Sequence, residues 1–192
     1  MPLQFILLLI ASLPLYQTGA VSDNQLKPYE DAEAYDVYAA ILPTDWLWQV
    51  QKAKSLVIQR ETKVYNMCLR PDADSEKIVG QAISEYVQLN EKTWLLQQRL
   101  DIEKPYEFIG SDDLKSIIDH GGWEKFGKQY PESGGWIELS AVGFNTDKTV
   151  AVVYMGYHCG WLCGRGEFHV LQKKDGKWAP LKWNGESCWW DS

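Results

Sequence analysis

The chain has 192 residues and a net charge of −7, with 19 Lys and Arg against 26 Asp and Glu. That length suits one domain behind a targeting segment. The acidic balance excludes a nucleic-acid or anionic-membrane binder, since either needs a concentrated basic face.

The N-terminus reads MPLQFILLLIASLPLYQTGAVS. An apolar run from Phe5 to Leu15 precedes small and polar residues, with Thr18-Gly19-Ala20 as the cleavage point. This predicts a signal peptide over residues 1–20 and a mature chain starting near Val21. The run is too short to span a bilayer comfortably, and no later segment is apolar enough to try. The expectation is a secreted or periplasmic protein with no membrane attachment after cleavage.

Residues 28–42, PYEDAEAYDVYAAIL, predict a helix with Pro28 in the first turn and Glu30, Asp31 and Glu33 set against the helix dipole. Its apolar stripe is Ala34, Tyr35, Tyr38, Ile41 and Leu42, and Pro43 ends it. Residues 55–61, SLVIQRE, read as a strand. Asp72, Asp74 and Glu76 suggest a calcium loop, but Lys77 stands where glycine is needed and Ile83 where a bidentate glutamate is needed. These acids fit better as the start of a helix with a core stripe of Ile78, Val79, Ala82, Ile83, Tyr86 and Val87. A second helical segment is expected over 91–100.

Ser111-Asp112-Asp113 opens another helix that Gly121-Gly122 breaks. Trp123, Phe126 and Tyr130 then share one face of a short helix closed by Pro131. From Trp136 the period changes to two. WIELSAVGF, TVAVVYMGYH, EFHVLQKK and KWAPLKW read as strands joined by Asn145-Thr146-Asp147, the CGWLCGRG loop and Asp175-Gly176. An Asp-Gly pair between strands is a strong hairpin signal. The expected architecture is α+β: a single domain over 21–192, with N-terminal helices packed on a C-terminal antiparallel meander of about four strands.

An exported chain meets an oxidising compartment, so Cys68, Cys159, Cys163 and Cys188 are expected as disulfides. Four cysteines allow three pairings. A hairpin reversal at Gly160-Trp161-Leu162 would bring Cys159 and Cys163 within bonding reach, which leaves Cys68 for Cys188. A zinc site could draw on Cys159, Cys163, His158 and His169, but adjacent strand residues point to opposite faces. A redox CxxC at a helix start and a phosphate loop before a helix both fail on context. Gly160, Gly164 and Gly166 are instead expected to supply positive φ and close approach in a stapled turn.

No metal site, cofactor site or catalytic set is predicted. There is no G-x-S-x-G and no H-E-x-x-H. His120 suits a helix C-terminus. Glu138, on a strand beside Trp136 and Ser140, is the carboxylate to watch, although a solvent-facing position explains it equally well. Of the ten tryptophans, Trp136, Trp161, Trp178 and Trp183 are the candidates for an aromatic ligand surface. Trp178 and Trp183 are expected on opposite faces of the last strand.

Residues 123–190 carry one further pattern. It runs W-x-x-F-x-x-x-Y-P from Trp123, S-x-V-G-F from Ser140, C-G-x-L-C-G-x-G from Cys159, and G-x-W from Gly176. The chain resembles a group of uncharacterised secreted bacterial proteins with this pattern. The resemblance implies export and a shared fold, and it implies no catalytic residue. Cys68 and Cys188 lie outside the pattern. The functional expectation is a non-enzymatic binding or interaction module of the bacterial envelope, with carbohydrate or another envelope protein as partner. The alternatives are a secreted hydrolase acting through dispersed carboxylates and a metal-binding hairpin.

Overall fold

The computed structural model describes residues 26–42, 52–65 and 67–192. The expected signal segment and the Pro43 stop lie outside the described residues. The chain order is α1 (Ala32–Ile41), β1 (Leu56–Gln59), α2 (Glu76–Leu89), β2 (Tyr106–Ile109), α3 (Ser111–Gln129), β3 (Trp136–Leu139), β4 (Gly143–Phe144), β5 (Val150–Gly160), β6 (Cys163–Lys174), β7 (Lys177–Pro180) and β8 (Trp189–Asp191).

The fold is α+β, but the sheet is larger than a four-stranded meander and is mixed. It has eight strands in the order β2-β1-β3-β5-β6-β7, with β4 added on β5 and β8 on β6. β1 pairs in parallel with both β2 and β3, while the pairs from β3 through β7 are antiparallel. The parallel pairs follow from length: α2 and α3 each lie in a connection long enough to return the chain in the same direction.

Side-chain alternation gives the sheet two covered faces. On the first, Ile137, Leu139, Ala151, Val153, Met155, Tyr157 and Leu171 pack with the α1 stripe of Ala34, Tyr35, Tyr38 and Ile41. Asp31 caps α1 by accepting the Glu33 N–H at 3.1 Å, so the helix begins four residues later than Pro28. On the second face, Val150, Val152, Tyr154, Phe168 and Val170 meet α2 through Val79, Ala82 and Tyr86. Val57 and Ile109 meet α3 through Leu114, Ile117 and Phe126. The helices therefore lie on both faces of the sheet.

Several local expectations change. Only Val79, Ala82 and Tyr86 of the six-residue α2 stripe are buried, and Ile78 and Val87 are exposed. Residues 91–100 are irregular rather than helical, with Leu95 bridging to Pro28 and Glu61. Thr62 and Leu95 donate backbone N–H groups to Trp94 and Lys27, and Leu96 donates to Arg60, so neighbours on two sides take the backbone. β2 is a short edge strand that the sequence pattern did not single out. The 136–144 strand divides at Ser140, whose Oγ accepts the Tyr154 N–H at 2.8 Å. The break expected in the 111–129 helix is present: α3 is two helical stretches joined at Gly122, whose φ of 59° is the left-handed region that glycine tolerates.

Candidate functional site

Between α2 and α3 the second face is covered by aromatic rings instead of a helix. Period two places Trp136 and Glu138 of β3, Tyr154, Gly156 and His158 of β5, and Gly164 and Gly166 of β6 on this face. Glu138 stands opposite Gly156, which stands opposite Gly166, and Gly166 faces Trp190 of β8. This row is where the strands carry least side chain.

The rings form a continuous line. Trp123, just past the α3 kink, stacks on Trp136 at 4.5 Å, and Trp136 stacks on His158 at 4.9 Å. His158 then meets Trp190 at 5.4 Å. The Trp190 indole lies across Gly164 and Gly166 and donates its N–H to the Tyr154 hydroxyl at 2.9 Å. Tyr65 stacks flat on Tyr154 at 4.3 Å. Trp136 Nε1 is buried and has no hydrogen-bond partner among the described residues.

Glu138 lies within this line and is only 8% exposed, so it is not a solvent-facing strand residue. Its Oε2 is 3.2 Å from His158 Nε2, and its Oε1 is 3.8 Å from Lys63 Nζ. Burial alone would raise the Glu138 carboxyl. The His158 ring and the Lys63 ammonium outweigh that and hold it below the usual carboxylate value. Glu138 is therefore an ionised acceptor and not a proton donor at neutral pH. An acid-catalysing carboxyl would need the opposite shift. The neighbouring carboxylate, Glu167, points to the other face, where Arg165 holds it at 3.0 Å.

Both cysteine pairs are disulfides, Cys159–Cys163 with Cα atoms 5.0 Å apart and Cys68–Cys188 with Cα atoms 6.0 Å apart. The reversal between β5 and β6 is shorter than the expected CGWLCGRG loop. Gly160 pairs with Cys163, so only Trp161 and Leu162 turn, and a register shift sits between His158 and Gly160. Gly160, Gly164 and Gly166 do not adopt positive φ; Gly122, Gly134, Gly135 and Gly176 do. The reason for glycine at 164 and 166 is space: a Cβ at 166 would collide with Trp190 and the Tyr154 hydroxyl, and one at 164 would press tightly on Trp190. The metal reading fails on geometry. His158 and His169 lie on opposite faces, and both cysteines of the hairpin are engaged in a disulfide. No group of three metal-ligating side chains occurs among the described residues.

The four candidate tryptophans do not form one surface. Trp136 is in the ring line. Trp161, 72% exposed at the hairpin tip, lies over Gly122 beside the start of that line. Trp178 is buried on the α1 face, where its N–H donates to Glu33 at 2.6 Å. Trp183 lies beyond β7, which ends at Pro180, and it packs half-buried over Gly185. Sequence reading missed His158, Tyr154 and Lys63 as neighbours of Glu138, and Trp190 as the ring that covers Gly164 and Gly166. The two-residue spacing of Trp136/Glu138, Tyr154/Gly156/His158 and Gly164/Gly166 was the available signal for a shared face. His120 is exposed on α3, with Nδ1 2.9 Å from the Ser116 carbonyl. No family model, curated protein or solved structure matches the chain.

Proposed function

We propose that the protein is an exported carbohydrate-binding domain that takes its ligand along the Trp123–Trp136–His158–Trp190 line. One observation carries this reading: a row of rings runs beside an ionised carboxylate, an ammonium and an imidazole. Indole rings supply apolar contact for a sugar ring, and charged acceptors and donors form the stronger hydrogen bonds to its hydroxyls. The lowered Glu138 carboxyl favours binding over acid-catalysed hydrolysis. Export is supported by the two disulfides and by the N-terminal sequence. Membership of the secreted bacterial group with the C-G-x-L-C-G-x-G hairpin is part of the same proposal. No helix among the described residues is long and apolar enough to cross a membrane.

The test is calorimetric titration of the oxidised protein with N-acetylglucosamine and glucose oligomers. Binding should weaken about tenfold or more in Trp136→Ala, the loss expected for a central aromatic anchor. Trp161→Ala should change it less. If no oligomer binds at millimolar concentration, or if Trp136→Ala leaves affinity unchanged, the reading is wrong.

A further inference from the structure

On the far side of Trp190 from His158 lies a cavity of about 200 Å³. Its walls are the stacked Tyr65 and Tyr154 rings, Phe168, Trp189, Trp190 and the Cys68–Cys188 disulfide, and Gly166 forms part of its floor. We propose that this cavity is a binding site for a small uncharged aromatic molecule that carries one hydrogen-bond acceptor, of which an aryl ketone is the simplest form.

Size, lining and one polar group argue for that class. An apolar cavity of about 150 Å³ already accepts a benzene-sized ring and stays dry without one. Drug-sized ligands need roughly 300 Å³ or more, so this space limits the occupant to a single ring with a small substituent. Tyr65 with Tyr154, and Phe168 against both, present aromatic faces and edges for offset or edge-on contact. No charged side chain lines the space, so a charged ligand would lose its hydration without compensation.

Tyr154 supplies the polar group. It is 1% exposed, and its oxygen already accepts the Trp190 N–H. Its own proton has no acceptor among the described residues. Burial keeps the phenol protonated, and the Glu138 charge nearby acts in the same direction. A buried hydroxyl proton without an acceptor costs free energy that a ligand oxygen would recover. Glycine at 166 leaves the space that this hydroxyl and the Trp190 indole fill, because a Cβ there would collide with both.

The site shares Trp190 with the proposed sugar line, but the two take different ligands and are tested with different probes, so either can fail without the other. The experiment titrates the full oxidised protein with acetophenone and with ethylbenzene, followed by NMR. Acetophenone should bind about tenfold more tightly, the effect of one added hydrogen bond in a buried site. Tyr154→Phe should remove that difference and leave ethylbenzene binding unchanged. Because this variant also leaves the Trp190 N–H without its partner, a second measurement uses the wild type alone. Intermolecular NOEs should connect acetophenone to the ring protons of Tyr65 and Phe168. The proposal is overturned if neither compound binds, if both bind equally to the wild type, if the preference survives in Tyr154→Phe, or if the NOEs fall elsewhere.

Discussion

His169 illustrates how one register position decides a residue's chemistry. It stands opposite Val153 on β6, which turns its ring to the α1 face and away from His158. Burial, with the nearby Arg165 charge, lowers its pKa from 6.5 to about 4. Glu167, 3.6 Å away, would oppose this, but Arg165 pairs with the same carboxylate at 3.0 Å. The folded pKa lies below the unfolded one, so the unfolded chain takes up the proton first as pH falls. Stability is complete above about pH 6.5 and declines from there until about pH 4. Lowering the pH from about 7.5 to 5 should cost the protein roughly 2 kcal/mol through this group. Glu138, with its carboxyl held below its ordinary 4.5, begins to lose its contribution only at lower pH. Urea unfolding at the two pH values measures the effect. His169→Gln should remove most of the pH dependence, and an unchanged slope would assign it to another group.

The β5–β6 hairpin is the element on which both the ring line and the cavity are built. Its strands are the longest in the sheet, and its tip is stapled between Cys159 and Cys163. The sequence located this staple because alternation on both sides required a reversal between the two cysteines. It also located the β6–β7 turn, where Asp175 at φ 50° and Gly176 at φ 77° have the conformation that an Asp-Gly hairpin demands. The stripe of α1 was legible because every stripe residue meets one sheet face. The α2 stripe was overdrawn because α2 packs on β4 and β5 only through its middle line, which leaves Ile78 and Val87 in solvent. Residues 91–100 and β2 were illegible for another reason: their partners at 27–29 and 56–62 are distant in sequence, and a short apolar tract does not name its partner. The staple closes a short loop and should contribute on the order of 2 kcal/mol through chain entropy. Cys159→Ser with Cys163→Ser should lower unfolding free energy by about that amount while leaving the far-ultraviolet circular dichroism unchanged. A loss of the folded spectrum would show that the staple is needed to form the hairpin at all.

At the scale of the molecule, the two disulfides have different tasks. Cys68–Cys188 spans a sequence separation of 120 and joins the stretch before α2 to the C-terminal strand. Around it, Arg70 and Glu186 exchange backbone hydrogen bonds at 3.0 and 2.9 Å, and Asp72 accepts the Asn184 N–H at 3.1 Å. β8 then pairs with Arg165–Glu167 and lays Trp190 over the glycine strip. β8 itself is only three residues long, and its side-chain anchors are Trp190 on Tyr154 and the Arg165–Asp191 pair. So short a strand depends on having its end held near β6. Closing a loop of that length is worth roughly 5 kcal/mol, a large share of the 5–15 kcal/mol that stabilises a typical domain. Replacing Cys68 and Cys188 together by serine should therefore do more than lower the midpoint of unfolding. The Ser192 N–H, which donates to the Gly164 carbonyl at 3.0 Å, should lose hydrogen-exchange protection, while amides of β3 and the centre of β5 keep theirs. Trp190 fluorescence should shift to the red as the indole leaves the sheet. If Ser192 stays as protected as in the wild type, β8 is held by its own pairing and the long disulfide contributes only to global stability. If protection is lost evenly across the sheet, the strap is part of the cooperative core, and Trp190 covers the glycine strip for as long as the domain is folded.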